Sequence, residues 1–297
     1  MDKLTEQKPG LLLRLAKFPL IFLAILYVVL TYLYLSGYFF RTSFTQGPMQ
    51  GLAASAMTCA MMLIMYAALV YFIERRNVSE LVVAPMAWEF GFGLLLGFGL
   101  YSLCILILIG LGVYRIEGVN AWQVLLPGLA APLATGVFEE LLFRGGVFRI
   151  AEKWFGTWIA LLISSLVFGL VHLENDAATM RGIVSISIWA GVLLAATYVL
   201  TRRLWLGIGL HAAWNYTQGT VYSGIVSGNQ APTSGLIKST MQGPDWLTGG
   251  AFGVEASVIA LLVCTAAGAT MMVMAVWRGN ILPPMWSRAR DGDAGAV

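Results

Sequence analysis

Eight apolar runs dominate this chain, each long enough to cross a hydrocarbon core at roughly 20 residues per helical span. Their approximate limits are 18–40, 52–73, 90–113, 122–150, 157–175, 182–200, 204–224 and 252–277. Backbone polar groups at membrane depth must be satisfied internally, which leaves only helices or closed barrels as spanning structures. These runs are continuous and do not alternate, so a barrel is excluded. The expected fold is therefore an all-α polytopic bundle of transmembrane helices. Charged residues make up only 11% of the chain, whereas soluble domains carry about 25%. The fourth run is interrupted by Pro127 and Pro132 and becomes charged in its second half.

Orientation follows from the distribution of Lys and Arg across the loops. With the N-terminus in the cytoplasm, 13 basic residues fall on the inner side and 4 on the outer, with Arg144 left within the membrane. Both termini are thus expected in the cytoplasm, and the short loops suggest a bacterial inner membrane. The chain divides into an N-terminal arm (1–17), three spans within 18–113, a core over 122–224, a last span at 252–277 and a tail over 280–297. That tail lacks an apolar face and is expected to be disordered. The net charge of +3 reflects the loop bias, and no basic aromatic stripe points to nucleic acid. Cys59, Cys104 and Cys264 all lie mid-span, which gives neither a disulfide framework nor metal-ligand spacing.

Only two histidines occur, His172 and His211, and both fall inside apolar runs. Glu139, Glu140 and Arg144 share another run, and Asn215 follows His211 by one helical turn. Ionisable groups at this depth are costly and default to functional hypotheses. The fourth and fifth runs form a hairpin turning near 154–156, so Glu139 and His172, equidistant from the turn, are expected to meet at one height. Residues four apart share a helix face, which lets Glu140 pair with Arg144, places Phe168 beneath His172 and sets His211 with Asn215. Glu139 points about 100° away from Glu140. One carboxylate can then be reactive and the other structural. Each feature has a bland reading: a buried Glu-Arg pair is commonly structural, and an intramembrane histidine or asparagine can simply bond helices together. Their coincidence in three neighbouring runs favours one site.

Three motifs carry a family resemblance. Phe138-Glu139-Glu140-Leu141-Leu142-Phe143-Arg144 resembles the E-E-x-x-x-R motif of the CAAX-protease and bacteriocin-processing family of intramembrane proteases. Phe168 to His172 resembles its F-x-x-x-H motif, and His211 to Asn215 its H-x-x-x-N motif. The resemblance covers about residues 125–220. It implies that Glu139 activates water with the aid of His172, that His211 and Asn215 stabilise the oxyanion, and that Glu140 and Arg144 hold the helix. Eukaryotic relatives remove the last three residues of prenylated CAAX proteins, whereas bacterial relatives are implicated in peptide maturation and bacteriocin self-protection. The expected partners are the lipid bilayer and a membrane-associated peptide or protein substrate.

Family members are often labelled metalloproteases, and Glu139, His172 and His211 could supply an open zinc site. Against zinc, no H-E-x-x-H helix is present, and the resemblance to the eukaryotic enzymes implies a glutamate-activated water without obligatory metal. Serine and aspartyl intramembrane chemistries fit poorly: the G-x-S-G setting is missing and no Asp lies in a span interior. A non-catalytic scaffold or a transporter using the same polar cluster is the competing class, although repeats and paired broken helices are not evident.

Overall fold

The computed structural model describes residues 15, 18–229 and 235–288. The arm expected over 1–17 falls almost wholly outside the described residues, as do 289–297 of the tail. The N-terminal region folds into α1 (Pro19–Phe44), α2 (Pro48–Leu69, prolonged by a π-helical turn Val70–Glu74) and α3 (Met86–Gly110). Pro19 and Pro48 open their helices where a missing N–H leaves no bond unmade. Strand β1 (Tyr114–Val119) follows, then α4 (Leu125–Gly128), α5 (Ala130–Glu140), a π-helical stretch Leu141–Phe148 and α6 (Arg149–Val171). The second half contains α7 (Met180–Ile186), a π turn Ser187–Gly191 and α8 (Val192–Thr201). It continues through α9 (Trp205–Tyr216), a π turn Thr217–Val221, β2 (Ile237–Met241), α10 (Asp245–Thr248) and α11 (Val258–Trp277).

Among the described residues, six helical runs are long and apolar enough to cross a membrane, against the eight expected. Two expected spans are merged within the 53-residue run Trp122–Glu174, which breaks at Gly156 (φ 76°, ψ 170°). Only glycine adopts that backbone readily, so Gly156 makes the hairpin turn. The other shortfall is α9, expected over 204–224. Every residue from Trp205 to Asn215 is buried, so this helix is sheathed by protein and needs no lipid-matched length. A small element went unforeseen: β1 and β2 pair antiparallel, Tyr114 opposite Met241, with a bulge between Ile116 and Gly118. It closes one end of an otherwise helical bundle.

Helix α9 forms the axis of the bundle, and α3 crosses it closely. A Cβ on Gly97 would lie 2.9 Å from the Trp214 amide nitrogen, and one on Gly93 would lie 2.8 Å from that of Leu210. The Gly93-x-x-x-Gly97 spacing therefore lets two backbones touch. Small residues also serve at α8 and α11, where a Cβ on Gly268 would come within 3.2 Å of the Leu193 Cα.

The end opposite the strands is held by polar contacts. Glu80 accepts hydrogen bonds from Tyr66 at 2.5 Å and Arg76 at 2.5 and 2.8 Å, while its carbonyl takes the Leu204 amide at 3.0 Å. Arg202 pairs with Glu152 at 2.6 Å, and Arg203 pairs with Glu89. The tail expected to be disordered from Asn280 is ordered through residue 288. Asn280 donates to the Val199 and Leu200 carbonyls at 3.0 and 2.9 Å, and Leu282 exchanges two hydrogen bonds with Thr157. These bonds satisfy groups freed at the end of α8 and at the Gly156 break. Composition alone, lacking an apolar face, does not reveal such partners.

Candidate active site

The π-helical stretch begins immediately after Glu140 and contains Arg144, Gly145 and Gly146. Such segments widen the helix and release carbonyls from regular bonding. The Gly145 carbonyl accepts from Arg149 at 2.7 Å and Tyr66 at 3.0 Å. The π turn Ser187–Gly191 presents the Ala190 and Gly191 carbonyls to Arg144, each at 3.3 Å. Arg144 is fully buried and also donates to Glu140 Oε1 at 2.9 Å. Its guanidinium lies 4.6 Å from the centre of the Phe168 ring. Taken together, one carboxylate, two carbonyls and an aromatic face compensate a charge at membrane depth.

Glu140 Oε1 has a second partner, His211 Nδ1, at 3.0 Å. This fixes the ring: Nδ1–H donates to Glu140, and Nε2 turns toward Glu139 Oε2 at 3.7 Å. In that arrangement Nε2 carries a proton only when the ring is an imidazolium, with each N–H facing a carboxylate. Glu139 Oε2 is buried and has no hydrogen-bond partner among the described residues. The two neighbouring carboxylates thus differ: Glu140 is held through Oε1 by Arg144 and His211, its Oε2 having no partner among the described residues, and no such pair of bonds holds Glu139.

His172 caps α6. Its Nδ1 lies 2.7 Å from the Phe168 carbonyl, so Nδ1–H donates there and the Nε2 lone pair is free. The ring sits 5.0 Å from Phe168, centre to centre, and the same phenyl lies 6.1 Å from His211 and 5.1 Å from Phe143. Phe168, 3% exposed, is thereby wedged among both histidines and Arg144. Asn215 is buried one turn beyond His211 and makes no side-chain hydrogen bond among the described residues.

The hairpin reading put Glu139 and His172 at a common height, and direct contact with Glu139 is made by the other histidine. His211 is the imidazole beside Glu139, and His172 makes no ion-pair contact with either carboxylate among the described residues. The hairpin arithmetic set a common height but carried no information about rotation around each helix. The zinc alternative also meets a geometric obstacle. Among the described residues, no group of three His, Cys, Asp or Glu is arranged to hold a metal ion. His211 Nδ1 is committed to Glu140. As placed, these three side chains do not form a ligand set.

Two contributors escaped the sequence. Tyr34 of α1 bonds Thr135 at 2.9 Å and stacks on Phe138 at 4.8 Å, bracing the face that precedes Glu139. No local signal announces that contact. Glu255, 3% exposed, accepts from Trp214 Nε1 at 3.1 Å and from Ser227 at 2.5 Å (amide) and 2.9 Å (hydroxyl). Its signal was present, an acidic residue near the start of the last apolar run, and the same rule that singled out Glu139 applies to it.

No curated protein and no solved structure matches the chain. Residues 121–217 match the family model described as Rce1-like, type II CAAX prenyl endopeptidase Rce1-like. That match spans the segment in which Glu140, Arg144, Phe168 and His211 close on one another, so this part of the chain is similar to type II CAAX prenyl endopeptidases.

Proposed function

We propose that the protein is an intramembrane endopeptidase that hydrolyses a membrane-associated substrate, a prenylated C-terminus or a leader peptide, by a glutamate-activated water. The observation that carries this reading is the division of labour between adjacent carboxylates: Glu140 bound by Arg144 and His211, Glu139 unpartnered beside His211 Nε2. In this scheme Glu139 takes the proton of the attacking water, assisted by the free Nε2 of His172. The tetrahedral oxyanion receives hydrogen bonds from His211 Nε2–H, in the imidazolium form, and from the Asn215 amide. Removal of one such donor costs about 2.7–4 kcal/mol of transition-state stabilisation in comparable sites. The proton held by Glu139 then passes to the leaving amine, which completes hydrolysis without a metal.

The orientation with both termini in the cytoplasm is supported by the arginines gathered at one end, among them Arg76, Arg149, Arg202 and Arg203. The decisive experiment compares peptide termini, by mass spectrometry, in membranes holding the native protein or Glu139→Gln at matched abundance. Products seen only with the native protein are expected, and they would name the substrate. Identical profiles from two folded proteins would move the polar cluster to a scaffold or transport role.

A further inference from the structure

We propose that Glu255 is the positioning residue that holds the two histidine-bearing segments in register; this rests on the hydrolytic reading above. Glu255 is buried and makes no close ion pair among the described residues, with the His172 imidazole the nearby titratable base. Its carboxylate instead accepts from neutral donors, Trp214 Nε1–H on one side and the Ser227 amide and hydroxyl on the other, with the Gln218 side chain also against it. Its own carbonyl accepts from Ser185 and Trp189, each at 2.9 Å, which locks the residue to α7 and the following π turn.

Each carboxylate oxygen leads to a different part of the site. Trp214 immediately precedes Asn215 and lies within one turn of His211 on α9, and its indole is packed between Trp189 (4.5 Å) and Tyr101 (5.1 Å). Ser227 turns its carbonyl to Asn175 Nδ2 at 2.6 Å, and the next residue, Gly228, accepts the Ala177 amide at 2.9 Å. Asn175 in turn donates its amide to the His172 carbonyl at 3.3 Å. One carboxylate therefore spans the gap between the helix carrying His211 and Asn215 and the loop that directs His172. Buried charge of this kind is costly unless fully hydrogen-bonded. A hydrophobic side chain could fill the same volume, but only an acceptor with two oxygens can join these two sets of donors.

Selective 15N labelling of histidine tests this directly, because the chain has only two histidines. Imidazole spectra of the native protein, Glu255→Gln and Trp214→Phe would be recorded in nanodiscs, with His172→Gln used for assignment. The glutamine variant turns an amide NH2 toward one donor set; the phenylalanine variant keeps an aromatic ring in place and deletes one donor. Both imidazoles are expected to shift in Glu255→Gln, with the His211 ring shifting in Trp214→Phe. On a farnesylated fluorogenic peptide with a free C-terminus, kcat is expected to fall roughly 100-fold at near-constant KM for Glu255→Gln, the loss typical of slight misplacement. The double variant should be no worse than Glu255→Gln alone, because both act on one connection. Unshifted imidazoles in a folded Glu255→Gln protein would overturn the proposal, as would shifted imidazoles with unchanged kcat. Should Glu255→Gln not fold, Trp214→Phe carries the same test. The spectra are read without substrate, so a failure of this linkage is distinguishable from a failure of the hydrolytic reading, which the Glu139→Gln comparison tests.

Discussion

Replacing Arg144 by leucine should be among the most damaging single changes in this protein, and the structure indicates its size. Arg144 is fully buried, and its removal leaves Glu140 in the same dry position with only His211 Nδ1 as a partner. Breaking a buried ion pair by deleting one member costs about 3–5 kcal/mol, because the remaining charge is uncompensated. The contact with the face of Phe168 contributes up to roughly 2 kcal/mol more when desolvated. Deleting both charges avoids the orphaned carboxylate, so Glu140→Leu/Arg144→Leu should recover most of the lost stability. The pair therefore forms a double-mutant cycle, with a coupling energy expected at about 3 kcal/mol. Reversible unfolding of the four proteins in mixed micelles measures it. The double variant should fold yet remain inactive, because His211 Nδ1 has lost its acceptor and the ring its fixed tautomer. An Arg144→Leu protein destabilised by less than about 1 kcal/mol would refute the reasoning, as would single-variant losses that simply add.

Three further outcomes are expected. Glu80 is buried, which by itself raises a carboxyl, but hydrogen bonds from Arg76 and Tyr66 and the charges of Arg76 and Arg149 outweigh burial and hold it below its ordinary value. Its stabilising contribution is thus complete above the unfolded value of about 4.3 and is lost as pH falls through the lower folded one. Glu80→Gln should flatten the acid limb of the unfolding-midpoint curve, and parallel curves for the two proteins would contradict this. Gly156→Ala would impose a side chain on a backbone at φ 76° and bring its Cβ within 2.8 Å of the Leu282 carbonyl and the Pro284 nitrogen. A loss of about 1–3 kcal/mol is expected, together with faster proteolysis of the 280–288 segment, and native-like behaviour in both measurements would count against the turn's role. Finally, activity should survive o-phenanthroline and EDTA; inhibition that added zinc reverses would restore the metal alternative.

Much of the site was legible because its chemistry contradicts its surroundings. Glu139, Glu140, Arg144, His172 and His211 stand out as ionisable groups within apolar runs, and helical spacing alone pairs Glu140 with Arg144, as found at 2.9 Å. What spacing cannot supply is azimuth. Two helices aligned in height can still differ in rotation, and the imidazole that comes within 3.7 Å of Glu139 is that of His211, on a third helix. The ordered segment after Asn280 was missed for a related reason: its partners are carbonyls and a threonine far away in sequence, at Val199, Leu200 and Thr157.

Hydrophobic continuity by itself determined that this chain is a helical membrane bundle, because only helices and closed barrels satisfy the backbone without water and continuous, non-alternating runs do not build barrels. Periodicity likewise determined which polar residues share a face within each helix. Only the tertiary structure decided which carboxylate is tied down, which imidazole nitrogen is free, and that Glu255 joins the two histidine segments. Those outcomes depend on π turns, glycine contacts and rotations between elements remote in sequence, where local propensity is silent and packing alone selects the geometry.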